Sequence, residues 1–338
     1  MFLALLAILF LGASCGPRTV NVSKALTIQE TDKNQVGSSW DKHFYSEALK
    51  ANSLSNSVLN KFKGIGKVTN VAGYGTGFYL GKIKGKHIVA TNNHVLANNI
   101  VFNKRMSYCF DDLELIKKKI KVPRLDAIRF PHIKYTHESS KIELTGKGFR
   151  CKSFIGTWEE IDLALFEIDV SPKLEKSLAP YALSFDFSED LPKGEPLMTA
   201  GFGKYRNKSA SVLKYEIGGN CKTYADNNRL LNYNLKSKNE KRVTWTMLIG
   251  CDASSGDSGS PIFSKDSEKI VGVLWGGTDQ LLNDDSLLND FFKNDDERLW
   301  EIVNFAVPAS EIKKFLIEKL AKDEIPKESI EVIKGLVL

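Results

Sequence analysis

The stretch Gly256-Asp257-Ser258-Gly259-Ser260-Pro261 constrains this chain more than any other. A serine lies between an aspartate and a glycine, with another glycine before the aspartate and a proline shortly after. The run leads into the strand-like segments Ile262-Phe263 and Ile270 to Trp275. The glycine before Asp257 lets the backbone turn so that the amides of Gly256 and Ser258 point at one spot, and the glycine after Ser258 leaves room for an approaching backbone. A serine hydroxyl is a weak nucleophile alone, and a catalytic one needs a base and an oxyanion-binding site. Gly, Ser and Asp also build ordinary turns, so the motif by itself leaves a plain turn open.

Two upstream segments bear on that choice. Ile88 to Leu96 is an apolar strand running into His94, and Ile161 to Ile168 is an apolar strand led by Asp162. Glu159 and Glu160 compete for the carboxylate role, but only Asp162 opens the Leu-Ala-Leu pattern that fixes a backbone position. The order His, Asp, Ser differs from that of subtilisin and of the α/β-hydrolases. With Gly75-Thr76-Gly77-Phe78, Gly272 to Gly277, and Val303 to Pro308 before a terminal helix, six ordered segments resemble the chymotrypsin-fold serine endopeptidases. The bacterial trypsin-like and glutamyl-endopeptidase branch is the most similar. The resemblance spans about Lys61 to Leu320. It implies an all-β fold of two six-stranded antiparallel β-barrels, with the active site between them and a C-terminal helix over Ala309 to Leu320.

The resemblance also implies the roles. His94 is the general base, Asp162 orients it, and Ser258 is the nucleophile, with the amides of Gly256 and Ser258 as the oxyanion hole. Asp252, six residues before Ser258, falls at the floor of the primary specificity pocket, where a carboxylate selects Lys or Arg; the plain alternative is a loop cap. The glutamyl-specific enzymes place a His before the Trp-Gly-Gly run, and Leu274 stands there instead. Trp275 and Gly276 are expected to offer a backbone edge to an extended protein or peptide substrate. Asp257 leaves open whether a freed N-terminal amine is needed. Lys63-Gly64 is a candidate cutting point, although Gly64 to Val71 reads more simply as the first strand.

The chain has 338 residues, 26% charged and 42% hydrophobic, with a formal net charge of +6. That is ordinary globular composition, with ample length for a core. Four regions are expected: a signal over 1–15, a tether or pro-segment over 16–60, the two-barrel domain over 61–320, and a tail over 321–338. No nucleic-acid module is recognisable, so no nucleic-acid partner is expected, and the run Lys117-Lys118-Lys119-Ile120-Lys121 reads as a solvated loop. No cofactor is implied. His43, His87, His132 and His137 lack metal-ligand spacing and read as surface residues. The acidic loop from Asp284 to Glu297 lacks the spacing of an EF-hand calcium site.

Residues 2–14 form an apolar run too short to span a bilayer, which needs about 20 residues. Its length suits an export signal. Small residues lead to Cys15, as in a bacterial lipoprotein signal, although no Lys or Arg precedes the run and Gly12 replaces the usual Leu. The expectation is an exported protein, either lipidated at Cys15 and held at the bacterial cell envelope or simply secreted. Four of the five cysteines then remain. Export favours disulfides; the resemblance implies Cys221–Cys251, which leaves Cys109 and Cys151 for each other. A second reading is a catalytically silent protease-fold surface lipoprotein acting as a binding module, suggested by the long insertion at 98–160 and the acidic loop.

Overall fold

The computed structural model describes residues 19–22, 55–69, 74–97, 127–130, 132–135, 140–143, 148–188, 191–203, 213–216, 221–224, 229–235, 240–251, 253–277 and 304–338. Cys15, His43, Cys109, the Lys117 to Lys121 run, His137, Asp252 and the acidic loop lie outside the described residues.

The first half carries β1 (Thr19–Val22), β2 (Ile65–Thr69), β3 (Tyr74–Ile83), β4 (Lys86–Thr91), β5 (Ile128–Arg129), β6 (His132–Tyr135), β7 (Ser140–Glu143), β8 (Gly148–Phe149), β9 (Cys151–Trp158) and β10 (Leu163–Ile168). The second half carries β11 (Leu197–Gly201), β12 (Lys214–Glu216), β13 (Arg229–Leu235), β14 (Glu240–Ile249), β15 (Pro261–Ser264), β16 (Ile270–Gly277) and β17 (Asn304–Pro308). The helices are α1 (Asn56–Lys63), α2 (Asn93–Ala97), α3 (Pro172–Leu178), α4 (Ala309–Ala321) and α5 (Lys327–Val337).

A seven-stranded sheet runs β8-β5-β2-β3-β4-β10-β9, and an eight-stranded sheet runs β1-β13-β14-β17-β16-β15-β11-β12. Neighbours are antiparallel except β1, which pairs in parallel with β13. The mostly antiparallel architecture agrees with expectation. The strand count does not: among the described residues the two main sheets have seven and eight strands, β6 and β7 pair apart from them, and the two outer strands of each main sheet are not paired with each other. β1 lies within the segment expected as a tether; its Thr-Val-Asn-Val pattern is rich in β-branched residues, which suit a strand.

Alternation along the strands explains how the sheets meet. In β4, Ile88 and Ala90 enter a core shared by both sheets, while Val89 enters a core built by the first sheet alone. In β10, Leu163 and Leu165 face the shared core, and Ala164 and Phe166 face the first sheet's own. The second sheet repeats this: Leu248, Phe263 and Val307 join the shared core, and Ile249, Ile262 and Ala306 a separate one. Successive side chains point to opposite faces of a strand. Both faces are apolar here, so each sheet buries one face over its own core and the other against its neighbour.

The termini cross between the sheets. α1 precedes the first sheet in sequence, yet Ser57 Oγ donates to Glu268 Oε2 at 2.9 Å and Lys61 pairs with the same carboxylate at 3.2 Å, in the β15–β16 turn. α4 packs on β16 and β17, whereas α5 packs on α4 and reaches back to β3 and β9. The segment 321–338, expected as a short tail, thus carries a second helix. Ile325, Val332, Ile333 and Val337 are buried in the shared core. Gly335 faces β3 so closely that a Cβ would sit 2.8 Å from Ile83 Cγ2, which explains a glycine inside a helix.

His87 is buried rather than on the surface. Its Nδ1 is 2.7 Å from the Tyr79 hydroxyl, and the two rings stack. Burial is the main cause that pushes the Tyr79 phenol up to about 12, with the nearby Glu175 carboxylate adding to it.

Truncating a buried aliphatic side chain typically costs about 2–5 kcal/mol. Ile333→Ala is therefore expected to lower unfolding stability by that amount in urea titrations. Glu331→Ala, on the exposed face of the same helix, should change it by less than about 0.5 kcal/mol.

Candidate active site

The β3–β4 hairpin delivers His94. Ile83 pairs with Lys86 across a two-residue turn, and both turn residues, Lys84 and Gly85, have positive φ (48° and 83°), as a twist-matched hairpin turn requires. β4 ends at Thr91, and after Asn92 the chain turns into α2 with His94 second in the helix. β10 lies antiparallel to β4 with Ala164 opposite Thr91, so the residue just before β10 falls beside the α2 start.

That residue is Asp162, held at φ 40° and fully buried. A left-handed conformation is costly outside glycine, though Asp tolerates it better than most. Here the surroundings impose it. The Asp162 carbonyl accepts from Asn92 Nδ2 at 2.9 Å and from the Asn93 amide at 3.0 Å. Its carboxylate accepts from the His94 amide at 2.9 Å through Oδ1 and from His94 Nδ1 at 2.6 Å through Oδ2. An ionised carboxylate only accepts hydrogen bonds, so Nδ1 carries a proton, and in the neutral imidazole the lone pair is then on Nε2. The imidazole is 21% exposed, enough to meet a ligand while its orientation is fixed. Glu159 and Glu160 are exposed, and Glu160 pairs with Lys319 at 3.7 Å instead.

The Ser258 loop is fastened to the same strand ends. The Thr76 amide in β3 donates to the Ser258 carbonyl at 2.8 Å, and Thr91 Oγ1 donates to the Thr76 carbonyl at 2.6 Å. The Thr76 hydroxyl donates to the Gly256 carbonyl at 2.9 Å and accepts from the Phe202 amide at 2.9 Å. From the second sheet, the Gly259 amide donates to the Leu274 carbonyl at 2.8 Å, and the Leu274 amide to the Ser260 carbonyl at 2.9 Å. Gly256 and Gly259 adopt φ of 105° and 88°. Only glycine takes such values cheaply.

The Asp257 carboxylate is buried and satisfied from within the domain. Oδ1 accepts from the Gly203 amide at 2.6 Å; Oδ2 accepts from the Ser254 amide at 2.8 Å and the Ser254 hydroxyl at 3.0 Å. The loop amides divide into two sets. Those of Asp257, Gly259 and Ser260 donate to Ser254, Leu274 and Asp257 carbonyls. Those of Gly256 and Ser258 donate to no backbone carbonyl among the described residues.

Cys221 and Cys251 form a disulfide closing a separation of 30 residues, worth about 3–4 kcal/mol in the chain-entropy view. Cys151 is also disulfide-bonded, to a partner outside the described residues. The Cys251 carbonyl accepts from Asn304 Nδ2 at 2.7 Å, which pins the residue next to Asp252. Trp275 is buried, stacked on Phe305, with Nε1 donating to Thr246 Oγ1 at 3.2 Å. Its ring therefore supports the sheet. The β15–β16 ladder ends at Pro261–Val273, short of Gly276, which still pairs with Phe305 on the other side.

A family model described as a trypsin-like peptidase domain matches residues 75–273. The chain belongs to that family. Membership makes it a serine endopeptidase. No curated protein sequence matches the chain. Among solved structures, a serine-to-alanine mutant of Rv3671c from M. tuberculosis H37Rv, in its inactive form, is similar at 15% identity and a TM-score of 0.47, covering 82% of this chain and 96% of its own. Deg5 is similar at 16% identity and a TM-score of 0.39, covering 77% and 94%. The serine endoprotease from Yersinia pestis is similar at 12% identity and a TM-score of 0.40, covering 80% and 66%.

Sequence reasoning missed the Thr76 hydroxyl and the Gly203 and Ser254 partners of Asp257 in this trypsin-like peptidase. The Gly75-Thr76-Gly77 run was the available signal, but a hydroxyl that bonds two distant backbone groups leaves no spacing to read.

Two glycines with similar φ separate strain from clash. A Cβ on Gly259 would lie 2.0 Å from the Thr76 carbonyl oxygen, whereas one on Gly85 would meet nothing within 4 Å. Gly85→Ala is expected to cost about 1–2 kcal/mol, the price of the left-handed backbone alone. Gly259→Ala should cost clearly more, as read by thermal unfolding of the two variants side by side.

Proposed function

We propose that this peptidase hydrolyses peptide bonds through an acyl-enzyme on Ser258. His94 Nε2 takes the Ser258 proton during attack and returns it to the leaving amine. Asp162 keeps His94 in the required tautomer and stabilises the imidazolium. The Gly256 and Ser258 amides receive the developing oxyanion. The observation that carries this reading is the grip of buried Asp162 on both the His94 amide and its Nδ1, next to strand ends that also hold the Ser258 loop. Family membership favours turnover over a silent binding role.

Substrates are proteins or peptides laid along β16, adding a strand beside Gly276 beyond the end of the β15 ladder. Asp252 is proposed as the pocket floor that selects Lys or Arg. The pinned Cys251 carbonyl and the Cys221–Cys251 bridge support a fixed pocket wall. The bridge also suits an oxidising compartment, in keeping with export directed by residues 1–15 and, in the lipidated form, a membrane anchor on Cys15. Because amides of Gly203 and Ser254 already satisfy Asp257, the loop needs no new N-terminal amine to hold its shape.

A peptide library exposed to the protein and to Ser258→Ala tests the mechanism. Cleavage after Lys or Arg is expected, falling by on the order of a millionfold in kcat for Ser258→Ala or His94→Ala, and by about ten-thousandfold for Asp162→Asn. Equal cleavage by wild type and Ser258→Ala would sink the assignment; cleavage after other residues would remove Asp252 from the pocket. Lys63→Gln should leave the rate unchanged, and activity that appears only after cutting at Lys63 would contradict the self-sufficient Asp257.

A further inference from the structure

We infer that the Thr76 hydroxyl is a positioning residue for the oxyanion hole, a role that rests on the reading of Ser258 as nucleophile. Three consecutive peptide units make up the turn before Ser258. The first ends in the Gly256 amide and the third in the Ser258 amide, the two that face the oxyanion. The middle unit joins Gly256 to Asp257 and is clamped at both ends. Its carbonyl accepts from Thr76 Oγ1 at 2.9 Å, and its N–H donates to the Ser254 carbonyl at 2.9 Å. Rotation of that unit would swing both flanking amides.

Such rotation is not blocked by the local backbone. Gly256 sits at φ 105° with no side chain, and glycine crosses between backbone regions with little penalty. The Ser254 carbonyl holds one end of the unit from within the loop, and the Thr76 hydroxyl holds the other from the opposite sheet. The Gly256 carbonyl can only accept, so the hydroxyl proton points to it. A lone pair then receives the Phe202 amide at 2.9 Å. Thr76 is fully buried, and both hydrogen bonds lie out of water, where a lost partner is costly. The adjoining Gly203 amide holds Asp257 Oδ1, so residues 202 and 203 brace the turn through Thr76 and directly.

The backbone bonds of Thr76, to the Ser258 carbonyl and from Thr91 Oγ1, do not involve its hydroxyl. Side-chain variants therefore leave the attachment of Ser258 itself in place. Thr76→Val keeps shape and removes both hydroxyl bonds; Thr76→Ser keeps the bonds and removes a methyl group.

The test compares wild type, Thr76→Val, Thr76→Ser and Ser258→Ala, assayed well below each unfolding midpoint. Rates are normalised to folded protein by circular dichroism. Outright loss of an oxyanion donor costs about a hundredfold to a thousandfold. A misaligned donor should cost less: kcat for Thr76→Val is expected to fall about tenfold to a hundredfold with KM little changed. Thr76→Ser should restore most of it. A peptide aldehyde, whose adduct places an oxyanion in the hole, should lose affinity for Thr76→Val in step with kcat, while the matching peptide alcohol binds as before. Wild-type kcat in Thr76→Val, a loss that vanishes after normalisation, or no recovery in Thr76→Ser would each overturn the inference. Activity that survives Ser258→Ala would instead overturn the nucleophile assignment, and this role with it.

Discussion

Each sheet has two apolar faces and only one interior of its own to fill. The remaining face must be buried against the other sheet, because exposed apolar area of that size would cost many kcal/mol at about 25 cal/mol per Å². The shared core is the outcome, and its geometry decides where the chemistry sits. With Ala90 and Leu165 packed from one side and Phe263 and Val273 from the other, the ends of β4 and β10 come to lie next to the turn that leads into β15. The strand ends that carry His94 and Asp162 come beside the Ser258 loop because the sheets have nowhere else to put their second faces.

Packing alone would leave the junction imprecise. Buried polar bonds on either side of it and across it make it precise, in places where an unmet partner is expensive. Asp162 locks the start of α2 with four bonds from one residue, two from its carbonyl and two from its carboxylate. Thr76 performs the corresponding task for the Ser258 turn, with its amide, carbonyl and hydroxyl all engaged. Local strain at Asp162 is the counterpart of this over-determination.

Much of this was legible in the sequence, for a physical reason. His94 and Asp162 each sit at the end of an apolar strand run, so periodicity placed them, and chain order supplied the relationship to Ser258. The Cys221–Cys251 bridge followed from the family likeness. The strand counts did not follow, because short pairings such as β5 with β8, and β1 along β13, depend on partners far away in the chain. His87 was misplaced because a histidine in a strand looks alike whether it faces water or the Tyr79 hydroxyl. The helix over Lys327–Val337 was hidden by Gly335, which weakens a helical pattern locally and makes sense only once Ile83 lies across from it.

That last helix has a consequence for how the molecule comes into being. Val332, Ile333 and Val337 belong to the core between the sheets, yet they follow the strands of both sheets in sequence. Contacts of such long sequence separation form late, because the loop-closure entropy must be met first. A growing chain can assemble the core that belongs to the first sheet alone, but it lacks part of the wall that holds the two halves together. The shared core is thus completed only once this helix is in place, so the setting of Ser258 depends on a segment made after both sheets.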